Sequence, residues 1–393
     1  MKDNNKKVIL AFSGGLDTCF CVSWLKNQGY DVITVTVDTG GFNQYDLDEI
    51  AKKSVSLGAS KHISIDGKKV YYDQIISYSI KGNLMKGGLY PLCVGPERII
   101  QAIKVAHIAG IEKAGFICHG STGAGNDQIR FDLALKSIAP DIKILVPVRD
   151  FAMTREMELA YLEKNKIKFP WSKDYSINIG LLGTTIGGKE TKGSWDSLPS
   201  DVYPVASISK TPDKHEILTI NFQKGLPVGG LSLLQKLNLL GAKHGVGKGI
   251  HLGTTILGIK GRVAFAAPGI TILIKAHEEL EKLVLTSRQL FWKGMLCQVY
   301  ANLLHEGMYF DPLMRDIETF IDSSQTKVTG VVKVKLYKGN IIIEGSKSTF
   351  SLMDNSIAVY GEENKLWTGR DAEGFAKIYG MESLLWRKNE NKT

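Results

Sequence analysis

The first patterned segment of the chain is an apolar run of strand length, residues 8–12. It ends in Ser13-Gly14-Gly15, and a helical pattern begins near Asp17. Two adjacent glycines allow a tight turn with no side chain projecting into it. Backbone N–H groups freed in that turn, followed by a helix N-terminus, form an anion site that suits a phosphate. The pattern therefore predicts a strand–loop–helix unit that holds a phosphate, and the alternative is an ordinary turn in which Asp17 is the N-cap.

Composition places few other limits on the chain. It has 393 residues, of which 44% are hydrophobic, and this length suggests two domains of ~100–200 residues each. No apolar run reaches the ~20 residues of a membrane span, and residues 1–7 do not resemble a signal peptide. The cysteines are scattered without a C-x-x-C pair, so neither a disulfide framework nor a zinc site is indicated. We expect a cytoplasmic protein with no membrane partner.

The formal net charge is +9, which is compatible with nucleic-acid binding. However, the lysines are spread along the chain and do not form a basic patch. Small anionic substrates or general solubility explain the charge as well. We therefore expect no nucleic-acid partner.

The first part of the chain alternates strand and helix patterns. Strands are predicted at residues 8–12, 32–37, 61–65, 116–118 and 142–146, and helices at residues 18–27, 47–57, 97–108 and 154–164. The second of these helices is expected to begin with Asp46 or Asp48. Strands separated by helices indicate a parallel sheet, and ligands of such sheets bind beyond the carboxyl ends of the strands.

The pattern changes after Phe169-Pro170-Trp171. Strands are then predicted at residues 217–222 and 328–337, with a hairpin turn at 338–340 leading into 341–344. Helices are predicted at residues 231–240, 280–304 and 313–323. We therefore predict an α/β nucleotide-binding domain at 1–168, a second, α+β domain at 169–367 and a C-terminal tail at 368–393. The tail has an apolar stretch at 378–386 that suits packing against another subunit or against its own domain.

A second glycine-rich loop follows the strand predicted at 116–118. Residues 118–130 contain three glycines and end in Asn126-Asp127-Gln128-Ile129-Arg130. Asn126 supplies a hydrogen-bond donor and an acceptor, the Asp127 carboxylate suits a substrate ammonium group, and the Arg130 guanidinium suits a carboxylate or a phosphate. A capped turn carrying surface charges is the alternative.

Together the two loops resemble those of the argininosuccinate synthases, which are PP-loop enzymes, also called N-type ATP pyrophosphatases. The first loop is shared by the whole superfamily, whereas the second is specific to the synthases. Further similarity lies at Tyr90 and at residues 241–247, 258–262 and 314–318. The resemblance implies an N-terminal parallel sheet of the adenine nucleotide alpha hydrolase-like type.

The resemblance also implies an activity, in which ATP drives the joining of citrulline to aspartate through a citrullyl-adenylate. The products are argininosuccinate, AMP and pyrophosphate, the ATP carries Mg²⁺, and the enzyme is a homotetramer. No dedicated metal site is expected. The residues implied for ATP are Ala11, Phe12, Ser13, Gly14, Gly15, Leu16, Asp17, Thr18, Val37 and Gly120. Those implied for aspartate are Thr122, Asn126 and Asp127, and those for citrulline are Tyr90, Asn126, Arg130, Ser176 and Thr185. Catalysis is assigned to Asn126, Asp127 and Arg130.

The chain departs from the family pattern on the citrulline side. A glutamate position is occupied by Gly253, a tyrosine position by Phe265 and a serine position by Gly95. Because a free α-ammonium group requires a carboxylate, loss of the glutamate predicts a citrulline that is acylated at its α-nitrogen, such as the acetyl or succinyl form. Free citrulline is the alternative. Cations that suit a succinyl carboxylate are Lys189, Lys192, Lys248 and Arg262.

Two other functions are compatible with the first loop. One is a tRNA-modifying PP-loop enzyme, for which Cys93 and Cys118 would be the reactive pair. The other is a non-catalytic relative that binds a nucleotide. We expect His119 and His244 to be structural residues.

Overall fold

A five-stranded parallel sheet forms the first part of the computed structural model, which describes residues 6–169, 175–362 and 366–390. Its strands are β1 (Lys7–Ala11), β2 (Asp31–Asp38), β3 (Lys61–Asp66), β4 (Phe116–Cys118) and β5 (Lys143–Leu145). Their order in the sheet is β3-β2-β1-β4-β5. The predicted α/β class is therefore confirmed, and β1 and β4, which precede the two glycine-rich loops, are neighbours.

Helices cover both faces of this sheet. The helices of residues 6–169 are α1 (Leu16–Asn27), α2 (Gln44–Ser56), α3 (Lys68–Tyr71), α4 (Ser77–Lys81), α5 (Glu97–Ile111), α6 (Asp127–Ile138), α7 (Pro147–Asp150) and α8 (Arg155–Lys164), with a π-helical turn at Tyr72–Ile76. Val8 and Leu10 of β1 pack into one apolar cluster, whereas Ile9 packs into another. A parallel strand that is buried on both faces explains why residues 8–12 are apolar without alternation.

Two helix starts differ from the sequence predictions. The N-cap of α1 is Gly15, with no side-chain cap, so Asp17 lies inside the first turn. The N-cap of α2 is Asn43, whose side chain accepts from the backbone N–H of Asp46. The Asp46 carboxylate in turn accepts from the Asn43 N–H. The prediction that Asp46 or Asp48 begins this helix is therefore wrong, because the reciprocal pair of hydrogen bonds selects the earlier residue.

Two antiparallel sheets follow. One has the order β10-β11-β7-β6 and the other has the order β13-β12-β8-β9. Their strands are β6 (Tyr175–Ile179), β7 (Thr184–Gly188), β8 (Glu216–Gln223), β9 (Leu226–Pro227), β10 (Lys248–Thr254), β11 (Lys260–Ala266), β12 (Gly330–Tyr337) and β13 (Asn340–Lys347). The predicted strands at 217–222 and 328–337 belong to the second sheet. No strand of the first was predicted. Of these strands, β7 has two threonines and two glycines among its five residues, and β10 has two glycines.

The helices of this part are α9 (Gly230–Lys243), α10 (Pro268–Val284), α11 (Ser287–Glu306) and α12 (Pro312–Gln325). The single helix predicted at 280–304 is therefore wrong. Leu285 is extended, and the next residue, Thr286, begins α11 with a capping box.

Residues 350–393 form a compact unit of their own, and residues 1–349 form the other. The C-terminal unit contains α13 (Gly369–Tyr379) and α14 (Met381–Glu390). Part of the predicted boundary motif, Pro170-Trp171, lies outside the described residues, as do 391–393. In the part of the chain that the structure describes, no helix combines the length and apolar character of a membrane span.

Candidate functional site

A cavity of about 850 Å³ lies at the carboxyl ends of β1, β2 and β4. Most residues that the sequence singled out line it: Ala11, Phe12, Ser13, Gly15, Asp17, Thr18, Val37, Tyr90, Gly120, Thr122, Asn126, Asp127, Arg130, Ser176 and Thr185. Gly14 and Leu16 do not. Leu16 is buried in the apolar cluster beside α1, which is the position expected of a core residue rather than a ligand contact.

The first loop is shaped by Gly14 and braced by hydroxyl groups. Gly14 has a φ of +75°, and a Cβ there would lie 3.0 Å from Cγ1 of Ile50, so only glycine fits without strain. Thr18 Oγ1 donates to the Gly15 carbonyl over 3.1 Å, and Lys53 Nζ donates to the Gly14 carbonyl over 3.2 Å. Because α1 has no side-chain cap, its first N–H groups are available to an anion.

The second loop packs directly against the first. A Cβ on Gly120 would lie 3.1 Å from Cγ2 of Thr18 and 3.2 Å from the Thr18 backbone nitrogen. A larger residue at 120 would push the two loops apart. Glycine at this position therefore brings both loops to the same side of the cavity.

A network of charged side chains borders the second loop. Asp127 accepts from Arg98 Nε over 2.9 Å and from Arg130 Nη1 over 2.7 Å. Burial raises the pKa of Asp127, but the two guanidinium groups outweigh it and lower that pKa to about 2. Arg98 also donates to Glu97, whose other oxygen accepts from Thr39. Burial raises the pKa of Glu97 to about 7.

Hydrogen bonds connect this loop to the rest of the cavity. The Ile256 backbone N–H donates to Asn126 Oδ1 over 3.0 Å, which connects the loop to the turn between β10 and β11. Arg130 Nε donates to the His305 carbonyl over 2.8 Å. Asn126 and Arg130 are therefore held in place by residues far along the chain.

The opposite wall comes from the antiparallel sheet. Ser176 lies on β6 and Thr185 on β7, and both line the cavity. Thr185 pairs with Phe265 on β11. The Tyr90 ring packs between Phe265 and His251, with both ring centroids 5.3 Å away. Tyr90, Ser176 and Thr185, three of the residues expected for citrulline, thus line this part of the cavity, which we call its citrulline end.

The glycines at 253 and 95 do not leave empty space beside their Cα atoms. A Cβ on Gly253 would lie 2.4 Å from Nε2 of His251, and a Cβ on Gly95 would lie 3.0 Å from Cζ of Arg130. The imidazole and the guanidinium occupy that space. Phe265 is buried and does not line the cavity. The acidic residues among the described lining residues are Asp17, Glu97 and Asp127.

Of the four cations proposed for a succinyl carboxylate, only Arg262 is among the described residues that line the cavity. Its Nη1 donates to the carbonyl oxygens of Glu190 and Gly193. Lys248 lies over the Tyr203 ring.

Sequence reasoning missed Arg98, Arg155, His251 and His305, which all line the cavity. The pair Glu97-Arg98 at a helix start was the one visible signal.

The two histidines and two cysteines that the sequence singled out differ in whether they line the cavity. His119 lines the cavity, and its Nε2 lies 3.1 Å from Asp132 Oδ1 while its ring stacks on Phe131. His244 is buried, with neither ring nitrogen hydrogen-bonded among the described residues. Cys93 and Cys118 are fully buried and do not line the cavity, and burial raises the pKa of the Cys93 thiol well above its usual range.

Comparison with known proteins gives one family over nearly the whole chain. The sequence model of the arginosuccinate synthase N-terminal HUP domain matches residues 7–168, and that of the C-terminal domain matches residues 175–386. The chain is 36% identical over 392 residues to the argininosuccinate synthase of Geobacillus sp. (strain WCH70), covering 97% of each protein. It is 37% identical over 401 residues to that of Bacillus licheniformis, covering 98% of this chain and 99% of the relative. For Lactiplantibacillus plantarum the identity is 37% over 391 residues, with 97% and 94% covered.

Proposed function

Because the chain belongs to the argininosuccinate synthase family and is an enzyme of that family, we propose that it uses ATP to join aspartate to citrulline or to an Nα-acylated citrulline. The observation that carries this proposal is the meeting of two glycine-rich loops and the β6–β7 wall around one cavity. The loops leave adjacent parallel strands, at the edge of the sheet where such folds bind ligands.

The first loop suits the phosphates of ATP. The hydroxyls of Ser13 and Thr18 lie 3.4 Å apart in this loop, and Lys53 donates to the loop carbonyl at Gly14 over 3.2 Å. Val37, at the end of β2, and Gly120 are proposed to contact the nucleotide. Mg²⁺ is proposed to enter with ATP, because a triphosphate supplies oxygen ligands of its own. Among the described residues, no group of three acidic, histidine or cysteine side chains forms a separate metal site.

The second loop suits the two amino acids. Thr122, Asn126 and Asp127 are proposed to bind aspartate, with Asp127 orienting its amine. A pKa near 2 keeps Asp127 ionised at neutral pH, so it can accept a hydrogen bond from the ammonium group. Asn126 and Arg130 are proposed to contact citrulline as well as to stabilise the charge that develops during the reaction.

The reaction then requires little covalent chemistry from the protein. The ureido oxygen of citrulline attacks the α-phosphorus of ATP, and the bond to pyrophosphate breaks. The aspartate amine next attacks the ureido carbon, loses a proton and displaces AMP, which keeps the ureido oxygen. Holding the reactants in line is the main contribution of such a site.

The citrulline end of the cavity supports an acylated α-nitrogen. A free ammonium group would need a carboxylate of its own, yet Asp127 is proposed for the aspartate ammonium group and also accepts from Arg98 and Arg130. At Gly253 the neighbouring group is the His251 imidazole. Burial, followed by the charge of Lys86, lowers the pKa of His251, so the ring is neutral at pH 7. We therefore propose Nα-acyl-citrulline as the preferred substrate, with free citrulline as the alternative.

Both alternative functions have less support. A tRNA-modifying enzyme would require reactive cysteines, whereas Cys93 and Cys118 are fully buried. A non-catalytic relative would not need Asn126, Asp127 and Arg130 ordered at one cavity. A homotetramer and a cytoplasmic location stay predictions, and light scattering of the purified protein measures the first.

The test is pyrophosphate release with ATP, Mg²⁺ and aspartate, comparing citrulline with its Nα-acetyl and Nα-succinyl forms. We expect kcat/KM to be about tenfold or more higher for an acylated form, because a charge without a partner costs more than ~1.4 kcal/mol. A heavy-oxygen label on the ureido group should appear in AMP. A clear preference for free citrulline would reject the acylated substrate, and no release with any substrate would favour the non-catalytic relative.

A further inference from the structure

Basic side chains collect at the citrulline end of the cavity, around Tyr90. His251 and His305 line the cavity there, and Lys86 Nζ lies 3.0 Å from Nδ1 of His305. The backbone of Lys86 pairs with that of Tyr90, with an N–H to carbonyl distance of 2.8 Å. A short backbone bridge therefore holds Lys86 next to a residue proposed to contact the substrate.

Lys86 is a half-buried ammonium group beside His305. Its side chain forms no ion pair within 4.0 Å among the described residues, and its side-chain hydrogen bond goes to a histidine. Burial lowers the pKa of Lys86, the charge of Glu306 opposes this and Arg130 lowers it further. A partly desolvated cation is costly unless an anion compensates it. This arrangement is expected of a group that receives its anion from a ligand.

His305 offers a hydrogen-bond donor beside that ammonium group. Because Lys86 donates to Nδ1, the neutral ring carries its proton on Nε2. Nε2 has no hydrogen-bond partner in the described parts of the chain, although the residue lines the cavity. Arg130 Nε donates to the His305 carbonyl over 2.8 Å, which fixes the backbone that carries the ring.

We propose that His305 and Lys86 form a carboxylate-binding subsite for the citrulline-side substrate. The His305 Nε2–H group donates to the carboxylate, and Lys86 is a positioning residue that selects the tautomer and supplies positive charge. This inference rests on the proposed function. The carboxylate has two chemical sources: the α-carboxylate of citrulline, or the terminal carboxylate of a dicarboxylic acyl group such as succinyl.

The experiment measures KM and kcat of pyrophosphate release for Lys86→Met, Lys86→Arg and His305→Leu with citrulline, Nα-acetyl-citrulline and Nα-succinyl-citrulline. Lys69→Met is the matched control, because Lys69 is exposed and pairs with Asp73 away from the cavity. We expect Lys86→Met and His305→Leu to raise KM for the citrulline-side substrate about ten- to a hundredfold, since each loses a charge-assisted hydrogen bond. KM for ATP should not change, and Lys86→Arg should recover most of the loss.

The pattern across substrates identifies the source of the carboxylate. A loss confined to the succinyl form assigns the subsite to the acyl carboxylate, and an equal loss for all forms assigns it to the α-carboxylate. An unchanged KM in Lys86→Met and His305→Leu, with ATP binding intact, overturns the inference. If the wild-type protein uses only free citrulline, the acylated substrate is rejected while the subsite is still tested by KM for citrulline.

Discussion

The citrulline end of the cavity depends on which side chain fills the space beside each glycine. Gly253 has room for no Cβ while His251 stacks on Tyr90, and Gly95 has little room while the Arg130 guanidinium lies against it. The two glycines therefore allow an imidazole and a guanidinium to occupy this part of the cavity, where the citrulline-side substrate is proposed to bind. A carboxylate in this place would favour an ammonium group on the substrate. The imidazole and the guanidinium favour a neutral or anionic group instead.

This exchange can be tested by restoring a carboxylate with Gly253→Glu. We expect the single variant to lose activity on every substrate, because its Cβ would lie 2.4 Å from His251 Nε2. Gly253→Glu combined with His251→Ala makes room for the new carboxylate. The ratio of kcat/KM for free citrulline to that for the acylated form should then rise about tenfold or more, as expected for a charged hydrogen bond.

The control for this experiment is His251→Ala alone, which removes the ring without adding a charge. The interpretation fails if the double variant keeps the substrate ratio of that control. Steady-state pyrophosphate release measures all three variants under the same conditions.

At the level of single residues, sequence reasoning predicted those whose chemistry is local. The two loops were visible because a glycine-rich turn follows each strand. Lys86 and His305 were not, and Arg98 was marked only by its place beside Glu97 at a helix start. Each of them meets a partner distant in sequence: Lys86 pairs with His305 and Arg98 with Asp127. Nothing in one sequence shows which of many lysines or histidines meets such a partner.

Among the secondary-structure elements, the strongly patterned segments were predicted within a few residues. The strand β4 and the helix α8 are examples. The β6–β7 and β10–β11 strands were missed, since Gly253 and Gly261 face each other across a ladder that has few branched apolar residues at that point. The division of the predicted helix 280–304 was also missed, although Thr286 and Gln289 have the spacing of a capping box.

The capping box of α11 gives a prediction at this scale. Thr286 Oγ1 accepts from the Gln289 N–H over 3.3 Å, and Gln289 Oε1 accepts from the Thr286 N–H over 3.1 Å. Thr286→Ala should lower the free energy of unfolding by about 1 kcal/mol, and Thr286→Ser should restore it. Urea unfolding measures the change. Ser287→Ala, on the neighbouring exposed residue, is the control, and equal effects of Thr286→Ala and Ser287→Ala would contradict the capping role.

Within the larger unit, residues 1–349, a buried polar network is centred on Glu281. The Glu281 carboxylate on α10 accepts from Asn83 and Gln325, each over 2.6 Å, and from Lys293 on α11 over 3.0 Å. Gln325 ends α12, and Asn83 follows α4. One carboxylate therefore joins four segments that are distant in sequence, and no local pattern could predict that convergence.

The corresponding prediction is that Glu281→Gln destabilises the whole unit. The side chain of Lys293 is 4% exposed and that of Glu281 is 2% exposed, so the variant leaves a buried ammonium group without its carboxylate. The expected loss is about 3–5 kcal/mol of unfolding free energy. Glu279→Gln on the same helix is the control, because Glu279 is 41% exposed and pairs with Lys282, and it should cost less than about 1 kcal/mol.

Adding Lys293→Met to Glu281→Gln removes the unpaired charge and should recover part of the loss, which chemical denaturation at neutral pH would measure. Equal stability of Glu281→Gln and Glu279→Gln would show that the network does not hold these segments together.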